Sequence, residues 1–185
     1  MKKSLRCFLS RLLALTLLGG PLLLASGCAK EEADSAGLHA AILVDAAPGL
    51  QIGETFQVML PVSKTAVDVV TAPELVPMSR ILDLKMAEAG DPELRMLCFV
   101  TYVDGQALKT LNRLSLRGQG RRLLLSINDT IVGVHPIEGP IQSGEIFFIS
   151  EVPGETREAR IALMEKYRQG AAEAILASRK TVERR

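Results

Sequence analysis

Few residues of this 185-residue chain have the types and spacing that catalysis requires. Its two histidines, His39 and His135, are far apart in sequence, and neither belongs to a cluster with metal-ligand spacing. His135 stands in a stretch rich in glycine and proline that runs from Asp129 to Ile149. A titrating role for His135 requires a nearby carboxylate, for which Glu138 is the local candidate. The stretch is either a ligand-holding loop or a turn between two strands.

The candidate nucleophiles lack activating neighbours in the sequence. Ser126 and Ser143 are not part of the strand–turn–helix elbow motif that exposes a hydrolase serine. Cys98 lies in the apolar run Leu94–Val100 without a charged activator. A thiol in such a run behaves as a small buried hydrophobe. Cys7 belongs to a predicted leader and Cys28 to a predicted lipidation site, both described below. Cys98 would therefore remain alone, and no disulfide framework is predicted.

Gly133, Gly139 and Gly144 resemble a glycine-rich phosphate loop at first sight. Such a loop must open directly into a helix, whereas a strand is predicted after these glycines. They are therefore expected to serve turns that need a positive φ. We predict no catalytic residue, no metal ligand and no cofactor; a hydrolase or redox enzyme is the less favoured alternative.

The N-terminus has the charge and hydropathy order of a secretory signal peptide. Four basic residues precede the apolar run Leu12–Leu18, and Gly19-Gly-Pro21 then interrupts it, so the segment is unsuited to a spanning helix. The ending Leu24-Ala-Ser-Gly-Cys28 resembles a bacterial lipobox, which predicts a signal peptide over 1–27 and lipidation of Cys28. The alternative is an ordinary signal peptide that carries a cysteine near its end.

A mature chain beginning at Cys28 would have 158 residues, enough for one domain. It would carry 18 cations and 21 acids, a net charge of −3. This mildly acidic balance, without a basic cluster, argues against a nucleic-acid partner. Residues 28–37 are short and polar and are predicted to be a flexible tether.

Apolar alternation predicts a folded domain over 38–153 and a helix over 154–185. The pattern is typical of an α+β fold, with a mostly antiparallel sheet, helices packed on one face and a long C-terminal helix. The predicted strands cover 40–44, 54–60, 65–71, 80–88, 94–103, 121–127, 130–134 and 145–149.

Two helices are predicted from apolar residues at helical spacing. Leu108, Leu111 and Leu114 form the first stripe, which Leu116 would extend and which ends before Gly118 and Gly120. The C-terminal helix is expected to be capped by Thr156 and to carry an apolar stripe from Ile161 to Ile175. That stripe is either part of the core or a docking surface.

The middle of the chain resembles the head of the first periplasmic domain of SecD and SecDF, accessory subunits of the Sec translocase. The resemblance covers about residues 68–149. The residues that carry it are Val70–Leu75, Phe99, Leu111-Asn112, Gly118–Val132, His135-Pro136 and Gly139–Ile146. It implies a shared fold and a capacity to contact polypeptide. The membrane residues that couple proton flow to export in that family have no counterpart here.

Two non-enzymatic functions follow as expectations. The first is a lipid-anchored envelope module that assists protein export, with Sec translocase components or exported polypeptide as partners. The second is a structural or assembly lipoprotein that uses the same fold for an unrelated protein partner. Both imply membrane attachment through Cys28 and a periplasmic location. Residue 29 is alanine and not the aspartate that retains enterobacterial lipoproteins at the inner membrane, which favours the outer membrane.

Overall fold

The computed structural model describes residues 39–46, 55–70, 74–91 and 95–183. The predicted signal peptide, Cys28 and the predicted tether lie outside these residues.

The described residues form eight strands, two α-helices and one 3-10 turn. The strands are β1 (Ala40–Asp45), β2 (Thr55–Met59), β3 (Ala66–Val70), β4 (Ile81–Ala89), β5 (Met96–Val103), β6 (Arg122–Ile127), β7 (Thr130–Pro136) and β8 (Glu145–Ser150). The helices are α1 (Gly105–Ser115) and α2 (Arg157–Glu183), and Met78–Arg80 forms the 3-10 turn. All eight predicted strands and both predicted helices are present, so the predicted α+β class is confirmed.

The strands form a single sheet in the order β2-β3-β1-β6-β7-β8-β5-β4, and every pairing is antiparallel. The β6–β7 hairpin turns through Asn128 and Asp129, whose φ angles are 49° and 57°. Two consecutive positive φ angles suit a two-residue hairpin, because their twist matches that of the paired strands. The sheet places β1, from the start of the described chain, beside β6.

Both helices pack on the same face of the sheet. Asp104 starts α1 by accepting hydrogen bonds from the backbone N–H groups of Gln106 and Ala107, at 3.0 and 2.8 Å. Thr156 caps α2, since its Oγ1 accepts from the N–H of Ala159 at 3.1 Å. The core beneath the helices is closed by apolar side chains that include Ile42, Phe99, Leu111, Leu123, Phe148, Met164, Ala171 and Ile175.

The apolar stripe of α2 is therefore part of the core. Met164, Ala171 and Ile175 are fully buried, and Ile161 and Tyr167 pack beside them. This result resolves the alternative between a core helix and a docking helix.

The second face of the sheet is buried over one half only. A smaller apolar cluster lies over β1, β3, β6 and β7, with Leu43, Val69 and Leu124 at its centre.

The buried carboxylate of Glu151 holds the turn between β2 and β3 against the end of β8. Its Oε2 accepts the N–H groups of Val62 and Ser63 at 2.8 and 3.0 Å.

Two predictions about the stretch 129–149 were wrong. Gly133, Gly139 and Gly144 do not have positive φ angles. A Cβ on Gly133 would lie 2.8 Å from that of Phe148, and one on Gly144 would lie 3.0 Å from the carbonyl oxygen of Val103. These two glycines are thus required by close approach between neighbouring strands.

His135 was expected at a strand boundary, but it lies within β7, which continues to Pro136. Pro136 pairs with Arg122 at the end of the strand. The N–H of the next residue, Ile137, donates to the backbone carbonyl oxygen of Arg121. A proline at a strand terminus removes one donor without breaking the rest of the ladder.

Candidate functional site

Three large apolar side chains are exposed together on the paired strands β5 and β8, on the face opposite the helices. Met96, Phe147 and Ile149 are 45%, 44% and 39% exposed. We call these three side chains, with the buried Cys98 and Val100 among them, the apolar surface. The strand ladder fixes this grouping, because Cys98 pairs with Ile149 and Val100 pairs with Phe147.

Alternation along β8 explains why the apolar surface exists. Ile146 and Phe148 point to the helix face and are buried, so Phe147 and Ile149 must point the other way. The sequence carries this signal as four consecutive apolar residues, Ile146–Ile149. This run therefore indicates a strand with apolar side chains on both faces of the sheet.

A polar group borders the apolar surface at one end. The hydroxyl of Tyr102 donates to Glu145 at 2.9 Å, and the ammonium of Lys85 lies 4.7 Å from the centre of the Tyr102 ring. The hydrogen bond to Glu145, together with burial and the charges of Glu145 and Asp83, raises the pKa of Tyr102. Tyr102 therefore keeps its proton at neutral pH and acts as a donor.

Cys98 is a buried thiol of the apolar surface. Burial raises its pKa, which disfavours the thiolate that a nucleophile needs. Its Sγ lies 3.8 Å from the carbonyl oxygen of Met96. The predicted behaviour as a small hydrophobe is consistent with this environment.

His135 lines a groove of about 310 Å³ together with Glu138, Ser143 and Glu145. Its Nδ1 lies 2.8 Å from the carbonyl oxygen of Phe147, and a carbonyl can only accept, so Nδ1 carries the proton. The Ser143 hydroxyl accepts from the N–H of Glu145 at 3.1 Å. These hydrogen bonds hold the end of β7 and the following loop against β8.

His39 belongs to a different part of the sheet. Its Nε2 contacts Glu74, and its backbone N–H donates to the side chain of Asn128 at 2.8 Å. The two histidines therefore have different partners, Asn128 and Glu74 for His39 and Phe147 for His135.

The described residues contain neither a cluster of metal ligands nor a membrane-spanning helix. No group of three or more His, Cys, Asp or Glu side chains there is placed to hold a metal ion. None of the helices in that part of the chain has the length and apolarity to cross a membrane.

Comparisons with known proteins give distant similarities of fold. No protein-family model and no curated protein sequence matches this chain. One similar solved structure is described as the membrane component SecDF that enhances protein export; it has 13% identity and a TM-score of 0.43 and aligns with 77% of this chain. Another, the super-membrane-facing form of SecDF, has 12% identity and a TM-score of 0.46 and aligns with 76%.

This chain spans less than two thirds of the first of these structures and under a fifth of the second, at 64% and 18% of their lengths. Neither similarity assigns an activity to this chain.

Proposed function

We propose that this protein is a lipid-anchored, non-enzymatic binding module of the bacterial cell envelope, which contacts exported polypeptide through the apolar surface. The observation that carries the proposal is the exposure of Met96, Phe147 and Ile149 side by side on two paired strands. Exposed apolar clusters of this kind on soluble domains are typical of protein-interaction sites.

The chemistry of the apolar surface favours a polypeptide as the partner. Two strands present it, so it can contact several successive side chains of an extended segment. The neighbouring Tyr102–Glu145 pair and Lys85 supply a donor, an acceptor and a cation at its border. Strand β4 also has a neighbour on one side only, which leaves backbone groups for pairing with an extended chain.

The resemblance of residues 68–149 to the SecD head supports the same class of partner. That likeness rests on apolar order and turn residues, and it carries no energy-coupling residue with it. The proposed role is accordingly passive, and consists of holding or guiding a polypeptide near the membrane.

Attachment to the membrane is proposed through acylation of Cys28, with 1–27 as the signal peptide and 28–37 as the tether. The motif Leu24–Cys28 supports this part of the proposal. Several acyl chains on one residue would anchor the protein durably, whereas a single chain binds weakly.

Site-specific photo-crosslinking in intact cells tests the contact with polypeptide. A photoreactive residue at position 147 is expected to crosslink to secretory chains in transit. The same residue at Leu176, an apolar position on α2 that is 57% exposed, is the matched control and should give no such product. Equal crosslinking from both positions, or crosslinks from 147 to one resident envelope protein only, would refute the export role; the second outcome would favour the assembly alternative.

Metabolic labelling with a fatty-acid probe tests the anchor separately. Wild-type protein should incorporate the label, and Cys28→Ala should not. The Cys7→Ala variant is the control, because Cys7 lies within the predicted signal peptide. Label retained by Cys28→Ala would overturn the lipidation.

A further inference from the structure

A second surface, on α1 and the segment that follows it, has a chemistry unlike that of the rest of the chain. Residues 105–128 contain five cations and no Asp or Glu. Three of the cations, Lys109, Arg113 and Arg117, follow one another at i, i+4 spacing and are exposed. Arg121 continues the series. We call these four residues the basic surface.

The cations of the basic surface lack acidic partners. Among the residues that the structure describes, no carboxylate lies within ion-pair distance of any of the four, whereas other arginines have one: Arg80, Arg95, Arg122, Arg157 and Arg168. The nearby carboxylate of Asp45 is bonded to Arg122 at 2.9 Å, and Glu74 contacts His39. The Nε–H of Arg121 donates to the backbone oxygen of Asp45. Because that oxygen carries no formal charge, the charge of Arg121 is not compensated.

The geometry provides room for anionic groups between these cations. Arg113, Arg117 and Arg121 line one groove of about 350 Å³ together with Thr110. Arg113 also lines a second groove of about 550 Å³, with Lys109 and Asn112. Like charges at i, i+4 on a helix repel one another. The helix dipole favours cations only in the last turn of α1, so it does not account for Lys109 or Arg121.

An apolar side chain stands exposed beside the basic surface. Leu116, directly before Arg117, is 59% exposed at the end of α1. Basic residues with an exposed leucine are characteristic of helices that lie at the interface of an anionic bilayer. Cations there attract anionic headgroups, and the leucine enters the boundary between headgroups and acyl chains.

The remaining charge of the chain fixes the orientation. Outside 105–128, a chain that begins at Cys28 has 13 cations and 21 acids. An anionic surface repels the net negative charge of that remainder and attracts the basic surface, so the charge distribution favours docking through the basic surface. We propose that the basic surface docks on the phosphate-bearing headgroups of an anionic phospholipid bilayer, with Leu116 inserted, and so sets the orientation of the domain at the membrane. This docking does not require acylation of Cys28.

The test uses the full chain with Cys7→Ser, Cys28→Ser and Leu116→Cys, labelled at position 116 with an environment-sensitive fluorophore; Cys98 is buried. Vesicles contain phosphatidylcholine alone or with 30 mol% phosphatidylglycerol. Any binding by the apolar N-terminal segment is common to all variants and does not by itself move the label. We expect a blue shift on anionic vesicles only, which is lost in molar salt because exposed charges are then screened.

Two variants with equal charge loss separate the basic surface from net charge. Lys109→Ala/Arg113→Ala/Arg117→Ala should reduce docking on the order of 100-fold, at about fivefold per cation near the surface, and abolish the shift. Lys166→Ala/Arg179→Ala/Lys180→Ala, on exposed positions of α2, should preserve it. An equal shift on neutral vesicles, or an unchanged shift in the first variant, would overturn the proposal. So would loss of the shift in millimolar glycerol phosphate at constant ionic strength, which would indicate a soluble phosphate ligand.

Discussion

Phe147 and Phe148 are adjacent on β8 and have opposite environments. Phe148 is fully buried beneath the helices, where its Cβ faces Gly133, and its ring lies 6.0 Å from that of His135. Phe147 stands 44% exposed on the other face. The same side chain therefore serves packing in one position and remains available for a partner in the other. At this point of the sheet, packing uses the helix face, and the surface proposed for binding lies on the other face.

The largest expected effect is on the helix face. Phe148→Ala should lower the free energy of unfolding by about 3–5 kcal/mol, because it removes a buried ring and leaves a cavity. Phe147→Ala should lower it by less than about 1 kcal/mol, since its ring is already half in water. Chemical denaturation of both variants measures the difference, and equal losses would contradict the assignment of the two faces.

The same contrast is expected along α2. Met164 is fully buried, and Met164→Ala should cost about 2–5 kcal/mol of stability. Leu176, on the same helix and 57% exposed, is the control and should change stability little when replaced by alanine. If both variants melt like the wild type, α2 is not part of the core.

A smaller effect is expected where the β2–β3 turn is held against β8. Glu151→Ala removes the acceptor for two backbone N–H groups and should cost about 1–3 kcal/mol. Glu151→Gln retains an acceptor oxygen without the charge and should cost less. Hydrogen exchange at Val62 and Ser63 should accelerate in both variants, more in the alanine variant; unchanged exchange would show that Glu151 does not hold the turn.

The smallest effect concerns the start of α1 and depends on pH. Burial raises the pKa of Asp104, but hydrogen bonds from Ala107, Arg80 and Gln106 outweigh it, so the folded pKa lies below the ordinary value. The contribution of Asp104 to stability is thus present above its unfolded pKa of about 4 and is lost as the pH falls through the folded pKa.

Asp104→Ala should cost about 0.5–2 kcal/mol at neutral pH and less below pH 4. Unfolding at pH 7 and pH 3 measures this, with Asp104→Asn as the variant that keeps the cap. A cost that grows on acidification would contradict the lowered pKa.

The sequence predicted the elements well because each strand and helix has its own periodicity. Leu84 and Met86 alternate with polar neighbours, and the stripe Ile161–Ile175 has helical spacing, so both elements were predictable. The predicted alternation fails at Leu82, which is 40% exposed where a bulge lies between Ile81 and Asp83. The order of strands was not, because nothing local in Ala40–Asp45 identifies Arg122–Ile127 as its neighbour. Gly133 was misinterpreted for the same reason, since its close contact with Phe148 exists only once β7 and β8 pair.

The two candidate surfaces differ in how far the sequence could have revealed them. Four consecutive apolar residues on β8 already indicate a strand with two apolar faces. The net charge of the whole chain does not reveal the basic surface, because acids elsewhere offset the cations of 105–128. The net charge of that segment alone does reveal it, but only the structure shows that the cations have no acidic partner.

The contact between Glu151 and the β2–β3 turn joins residues that are separated by 88 and 89 positions in sequence. The pairing of β1 with β6 is also long-range. Closing such long loops costs chain entropy before any contact compensates for it, so folding that depends on them is slow. A nascent chain cannot complete its sheet until residue 151 has been made. The β2–β3 turn and one edge of β1 accordingly lack these contacts throughout most of synthesis, a property that would suit export of an unfolded chain, as the proposed signal peptide requires.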